Sequence, residues 1–137
     1  MLHNWRSDQL ACFSLADDLQ ISPFYSDGKT YGTPTWIWSV IVDNQLYVRA
    51  WNGLRSRWHR SAHAQGAGRI FLAGQQFEVI FETEVADDLL NQKVNEAYQR
   101  KYDRSPYLPP MLQSGPTQTT TRIRPANTQN SKEPSYD

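Results

Sequence analysis

The chain has 137 residues and a mass of 15.8 kDa, room for one domain and not comfortably for two. Its 14 Lys and Arg balance 14 Asp and Glu, which argues against a wholesale polyanion binder, and a mean hydropathy of -0.69 argues against a membrane-embedded chain. Cys12 is the lone cysteine, so an intrachain disulfide and a thiolate metal cluster are excluded and a reducing, cytoplasmic setting is expected.

In chain order, residues 1–10 hold Asp8 and no apolar run of signal-peptide length, and residues 8–17 suit a short helix. Leu19 and Ile21 alternate through 19–24 until Pro23 interrupts. Ser26-Asp27-Gly28 is a turn signal, since Gly28 tolerates positive φ and Asp27 can bond nearby backbone. Residues 36–42 are the clearest strand, too short to span a bilayer as a helix, with Trp36, Trp38, Val40 and Val42 on one face and Ile37, Ser39 and Ile41 on the other. A short connection at 43–45 leads to a returning strand over 46–51, making a hairpin. Asn52-Gly53 ends it, and Ser56 is placed to cap a helix through His63 that Gly66 and Gly68 stop. Residues 69–73 and 77–82 form a second hairpin around Gly74-Gln75. A helix over 87–101 follows, with Asp87 and Asp88 at its start and Arg100 and Lys101 at its end, matching the helix dipole. The prolines 106, 109 and 110 separate it from a last strand over 117–124, with Ile123 inward. The segment 125–137 lacks the apolar side chains that would offset the entropy of ordering and is expected to be a flexible tail on a 1–124 domain.

Charge is balanced overall but segregated locally. Residues 49–69 carry Arg49, Arg55, Arg57, Arg60 and Arg69 without an acid, and 78–88 carry Glu78, Glu82, Glu84, Asp87 and Asp88 without a base. One reading is a pair of complementary solvated surfaces. The other is an anion site, in which amides at the Asn52-Gly53 turn and at the start of the Ser56 helix meet phosphate oxygens and Arg57 adds charge-assisted bonds. Ser56 is then a helix cap, an anion donor, or both. Trp36, Trp38, Tyr47, Trp51 and Trp58 cluster in the same stretch; Trp51 and Trp58 flank the arginine-rich turn and suit either a planar-ligand pocket or core packing. Neutral charge and the lack of a recognisable RNA-binding motif argue against nucleic acid. His59 and His63 have helix-ligand spacing but lack the intervening Glu of a zinc motif and sit among arginines, so no metal is expected. Tyr98, Tyr102 and Tyr107 either pack on the sheet or rim a ligand.

The stretch Tyr31-Gly32-Thr33-Pro34-Thr35-Trp36-Ile37-Trp38, continuing through Arg49-Ala50-Trp51-Asn52-Gly53 to Ser56-Arg57-Trp58-His59-Arg60-Ser61-Ala62, resembles the DUF2255 family of uncharacterised bacterial proteins over about residues 19–124. It is more distantly similar to the deazaflavin-dependent nitroreductase and pyridoxamine-phosphate-oxidase-like split barrels, mainly over 28–72. That resemblance implies a mainly β fold: a six-stranded Greek-key split β-barrel with two or three peripheral helices, most often a homodimer. It further implies FMN or a deazaflavin bound by Thr33, Thr35, Trp51, Asn52, Ser56, Arg57 and Trp58. Tyr102 would contact an electron-poor small-molecule substrate in a cofactor-dependent reduction. The alternatives are a small-anion-binding module without redox chemistry and a dimeric structural or regulatory protein.

Overall fold

The strand expected over residues 36–42 is two strands, and the break between them shapes the molecule. The computed structural model, which describes residues 4–126, places β2 (Thr35–Trp36) at one edge of a sheet and β3 (Ser39–Val42) at the other. Between these edges lie β1 (Gln20–Pro23), β4 (Gln45–Val48), β5 (Ala67–Leu72), β6 (Gln75–Glu82) and β7 (Thr121–Pro125). The order is β2-β1-β5-β6-β7-β4-β3, with every neighbouring pair antiparallel. Laid flat, such a sheet would hold its edges roughly 29 Å apart, at about 4.8 Å per strand spacing. Trp36 and Ser39 are three Cα steps apart in the chain, a reach of at most about 11 Å. The sheet therefore curls into a half-barrel whose edges approach each other at Ile37-Trp38. Seven strands, not the expected six, make up the sheet among the described residues, because this break turns one strand into two.

Period-two alternation sorts the side chains as the sequence suggests. Leu46, Val48 and Ala50 point into a core with Trp5, Phe13, Leu19, Ile21, Ile70, Leu72, Val79, Phe81 and Ile123, and Ile37 and Ile41 pack against it. Val40, Val42 and Tyr47 point the other way, into a second core with Val94, Ala97, Tyr98, Leu108 and Met111. The β3–β4 hairpin closes through Asp43 and Asn44, both at positive φ (50° and 65°), the geometry that matches the twist of the strands it joins.

The first core is covered by α1 (Ser7–Leu15), slightly earlier than the expected 8–17, and by α2 (Arg57–Gln65). A short 3-10 turn, Gly53–Arg55, precedes α2, and Gly66 ends it in the left-handed region at φ 68°. Gly68 does not stop the helix; it sits inside β5. The second core is covered by α3 (Asp88–Tyr102), where the Asp87 side chain accepts from the Leu90 amide as a cap. Two one-turn helices, α4 (Leu108–Met111) and α5 (Ser114–Thr117), take up the proline-rich stretch, so β7 begins at Thr121 rather than 117. Pro125 belongs to β7 and the Ala126 amide donates to the Glu78 carbonyl at 2.9 Å, so pairing runs past the expected domain end at 124; the remainder of the expected tail, 127–137, lies outside the described residues. No helix among the described residues is long and apolar enough to cross a membrane.

Candidate functional site

Two cavities flank the short edge strand β2, and the pleat assigns one of its residues to each: Thr35 lines the first and Trp36 the second. The first is built by a tightly folded loop. The Asp27 carboxylate accepts from the Lys29 and Thr30 amides at 2.9 and 2.8 Å, and Gly28 takes φ 70°, so the chain reverses there. It returns alongside itself through Tyr25 N to Thr30 O and Gly32 N to Pro23 O, both 2.8 Å, while the Ser22 hydroxyl donates to the Gly32 carbonyl. A Cβ on Gly32 would lie 2.8 Å from the Pro23 carbonyl oxygen, so this close approach requires glycine. The reversal sets Thr33 beside Tyr25: the Thr33 amide donates to the phenol oxygen at 3.2 Å, and the two hydroxyls are 3.2 Å apart. Opposite them stand Arg57, Trp58 and Ser61 from the first turns of α2. Together with Pro23 and Gly32 these groups enclose about 310 Å³.

The polar groups of this cavity are one arginine and four hydroxyls. Arg57 is exposed and makes no ion pair among the described residues, and Tyr25, Thr33, Thr35 and Ser61 line the same cavity with it. Hydrogen bonds from the Thr33 side chain, then its amide, together with the Arg57 charge, hold the Tyr25 phenol below its ordinary value. Ser56 stands at the N-cap but its side chain makes no capping bond; the Ser56 carbonyl takes the Arg60 amide at 3.1 Å.

The second cavity, about 350 Å³, is aromatic. Trp36, Ile37, Trp38, Trp51, Tyr107 and Met111 line it, with Arg49 as its charged residue. Trp51 and Tyr107 meet edge to face at 5.8 Å, and Trp36, Trp51 and Tyr107 are all exposed. Trp38 is fixed from behind. Tyr102 stacks on it at 4.0 Å and 5°, and the Tyr98 hydroxyl donates to the Trp38 carbonyl at 3.2 Å.

Arg49 is the most constrained group in this wall. It is fully buried, and its guanidinium reaches four residues on three chain segments: Nε donates to Thr120 Oγ1 at 2.9 Å, Nη1 to Asn95 Oδ1 at 2.5 Å and the Met111 carbonyl at 3.3 Å, and Nη2 to the Asn91 carbonyl and Oδ1 at 3.3 and 3.4 Å. Every acceptor is neutral. No carboxylate pairs with it among the described residues, and burial pushes its ionisation downward.

Of the residues expected to bind a cofactor, Thr33, Thr35, Arg57 and Trp58 converge on the hydroxyl-rich cavity, although Trp58 is 6% exposed and also belongs to the first core. Trp51 lines the aromatic cavity instead. Asn52 is exposed and Ser56 buried, and neither lines the two cavities; the turn amides of Gly53 and Ser56 are already bonded to Ala50 O and Gly53 O at 3.0 Å. Tyr102 lines neither cavity. Its phenol shares 3.3 Å contacts with the amide and carbonyl of Ser39, and burial pushes it up to about 12. Sequence reasoning missed Tyr25, Ser61 and the special place of Arg49. The Asp27-Gly28 turn was the available signal for Tyr25, because a reversal there sets 24 opposite 31 and 25 opposite 30, within a tyrosine's reach of 33.

The histidines of α2 border a third cavity with Leu54, Arg60, Thr83, Glu84 and Gln118. Burial, then the neighbouring His63, lowers the basicity of His59, and its Nε2 has no hydrogen-bond partner. No group of three or more His, Cys, Asp or Glu side chains among the described residues is arranged to hold a metal ion.

Residues 9–123 match the model of a family described as "Uncharacterized protein conserved in bacteria (DUF2255)". No curated protein and no solved structure matches the chain.

Proposed function

Because the chain belongs to the DUF2255 family, whose description assigns no activity, we propose a function from its own residues: a flavin- or deazaflavin-dependent reductase of an electron-poor small molecule. One observation carries this reading. A cavity that gathers one unpaired arginine and four hydroxyls backs onto an aromatic cavity across a two-residue strand. A phosphorylated planar cofactor needs those two surfaces, a polar clamp for its phosphate and flat apolar walls for its rings.

The residues fit such a group. Arg57, Thr33, Thr35, Ser61 and Tyr25 would hold the phosphate, and Trp36 and Trp51 would border the ring and substrate. When bound, the cofactor supplies hydride or electron transfer. The chain binds, orients and excludes water, and no side chain acts as nucleophile. Tyr102 serves by holding Trp38 flat against the cavity wall, through its stack and its bonds to Ser39. In this reading the curled sheet is a split barrel, and a second copy of the chain packs on the exposed apolar surface that includes Leu54.

The test is titration of the full chain with FMN and with a deazaflavin, followed by oxidation of the reduced cofactor by a nitroaromatic. The reading expects saturable binding that fails in Arg57→Ala, and turnover above the rate of free cofactor. A second reading, a small-anion-binding module without redox activity, is favoured by the Tyr102 phenol being engaged by backbone rather than directed at a ligand. Arg57-dependent binding of phosphate or pyrophosphate, with no flavin binding and no turnover, would select it.

A further inference from the structure

We propose that the aromatic cavity takes a planar aromatic anion, a carboxylate or a compound of like charge, drawn by the uncompensated positive charge of Arg49. This deepens the reductase reading by naming the class of its small molecule, and rests on it only in assigning the cavity to a ligand.

The cavity combines two features that select different parts of such a molecule. Three tryptophans and a tyrosine provide flat, apolar contact for an aromatic ring. Arg49 provides a fully buried cation whose bonded acceptors are all amide, carbonyl or hydroxyl oxygens. Neutral acceptors satisfy the N–H groups but leave the charge uncancelled, and an apolar wall screens it poorly. An anion entering here meets that field at short range, whereas a neutral isostere does not. Because Arg49 has no exposed surface, it acts on such a ligand through its field rather than by a direct bond.

The site differs from the Arg57 cavity in what it rejects. Arg57 shares its cavity with four hydroxyl residues and suits a phosphate, a compact, strongly hydrated anion. The Arg49 cavity would strand the remaining oxygens of a phosphate against tryptophan, which is costly. It favours an anion with its charge at one end and an apolar body at the other.

The experiment uses the full chain without flavin, with tryptophan fluorescence titrated by 4-nitrobenzoate and by its neutral isostere 4-nitrobenzamide. The expected result is saturable quenching by 4-nitrobenzoate, with the amide binding about tenfold more weakly or worse. Arg49→Lys keeps the charge and tests folding, and Arg49→Gln should bring the two affinities together. Should Arg49→Gln fail to fold, Trp51→Leu supplies the control: it should weaken both probes while preserving the preference for the anion. Equal affinity for the two probes overturns the proposal. So does absence of binding by either, and so does a stable dimer that Trp51→Leu dissociates and that 4-nitrobenzoate does not compete with, since a second copy then occupies the cavity. FMN binding lost in Arg57→Ala alongside failure of 4-nitrobenzoate would sink this inference alone. The reverse pattern would sink the flavin reading alone.

Discussion

Arg49 and Arg57 lie eight residues apart in one acid-free stretch, yet the fold uses them in opposite ways. Arg49 is fully buried, tied by hydrogen bonds to α3, α4 and Thr120, and serves as much to join those elements to the end of β4 as to charge the cavity it lines. Arg57 is exposed on the first turn of α2 with no ion pair among the described residues. A positive charge in a sequence therefore says little about availability. What differs is the mode of use: Arg49, buried and fully bonded, can act on a ligand only through its field, whereas Arg57 is exposed with its charge unpaired among the described residues.

The sharpest way to break that contrast is by mutation. Arg49→Leu removes five hydrogen bonds at once and takes the partner from Asn95 Oδ1 and the Met111 carbonyl, and should cost about 3 kcal/mol or more in urea unfolding. Arg57→Ala should cost no more than about 0.5 kcal/mol in the same measurement while removing phosphate binding. Equal destabilisation by the two would erase the distinction. Next in size is Gly32→Ala, where the new Cβ meets the Pro23 carbonyl oxygen at 2.8 Å; displacement of the loop should cost about 1–3 kcal/mol and weaken anion binding at Arg57 without altering the aromatic cavity.

A smaller effect comes from Lys101, whose ammonium donates to the Ser39 and Phe13 carbonyls from a half-buried position near the β3 edge. Burial lowers its pKa from 10.5 to about 8, so between those values the unfolded chain binds more protons than the folded one, and stability rises with pH. Tyr102 opposes this above pH 10, because its folded value is raised to about 12 and its stabilisation is lost as pH increases. Unfolding free energy measured across pH 8 to 10 should therefore climb, and Lys101→Met should flatten the climb. A flat profile in the unaltered protein would contradict the assignment. The smallest effect concerns selectivity: pyrophosphate should compete with FMN at Arg57 and leave 4-nitrobenzoate binding at Arg49 unchanged.

The elements legible in the sequence are those fixed by local chemistry. The 43–44 turn, the Gly66 helix stop and the Asp87 cap all act within a few residues, and each lies where its residue type suggests. The alternation of Leu46, Val48 and Ala50 against Tyr47 and Arg49 was equally readable. The broken strand was not, because every residue from Trp36 to Val42 except Ser39 favours a strand. Only the curling of the sheet, which sends its two ends to opposite edges, interrupts it. The convergence of Thr33, Thr35 and Arg57 came from the resemblance rather than from spacing, and the structure brings them together. Arg49 was indistinguishable from its basic neighbours, since its side-chain partners at 91, 95 and 120 are 42 to 71 residues away.

The most direct test of the central claim compares FMN with riboflavin, which differ by the phosphate alone, in the unaltered chain and in Arg57→Ala. The account predicts that FMN binds more tightly than riboflavin by about tenfold or more, and that this gap closes in Arg57→Ala. An equal affinity for both flavins, or a gap that survives the loss of Arg57, would contradict it.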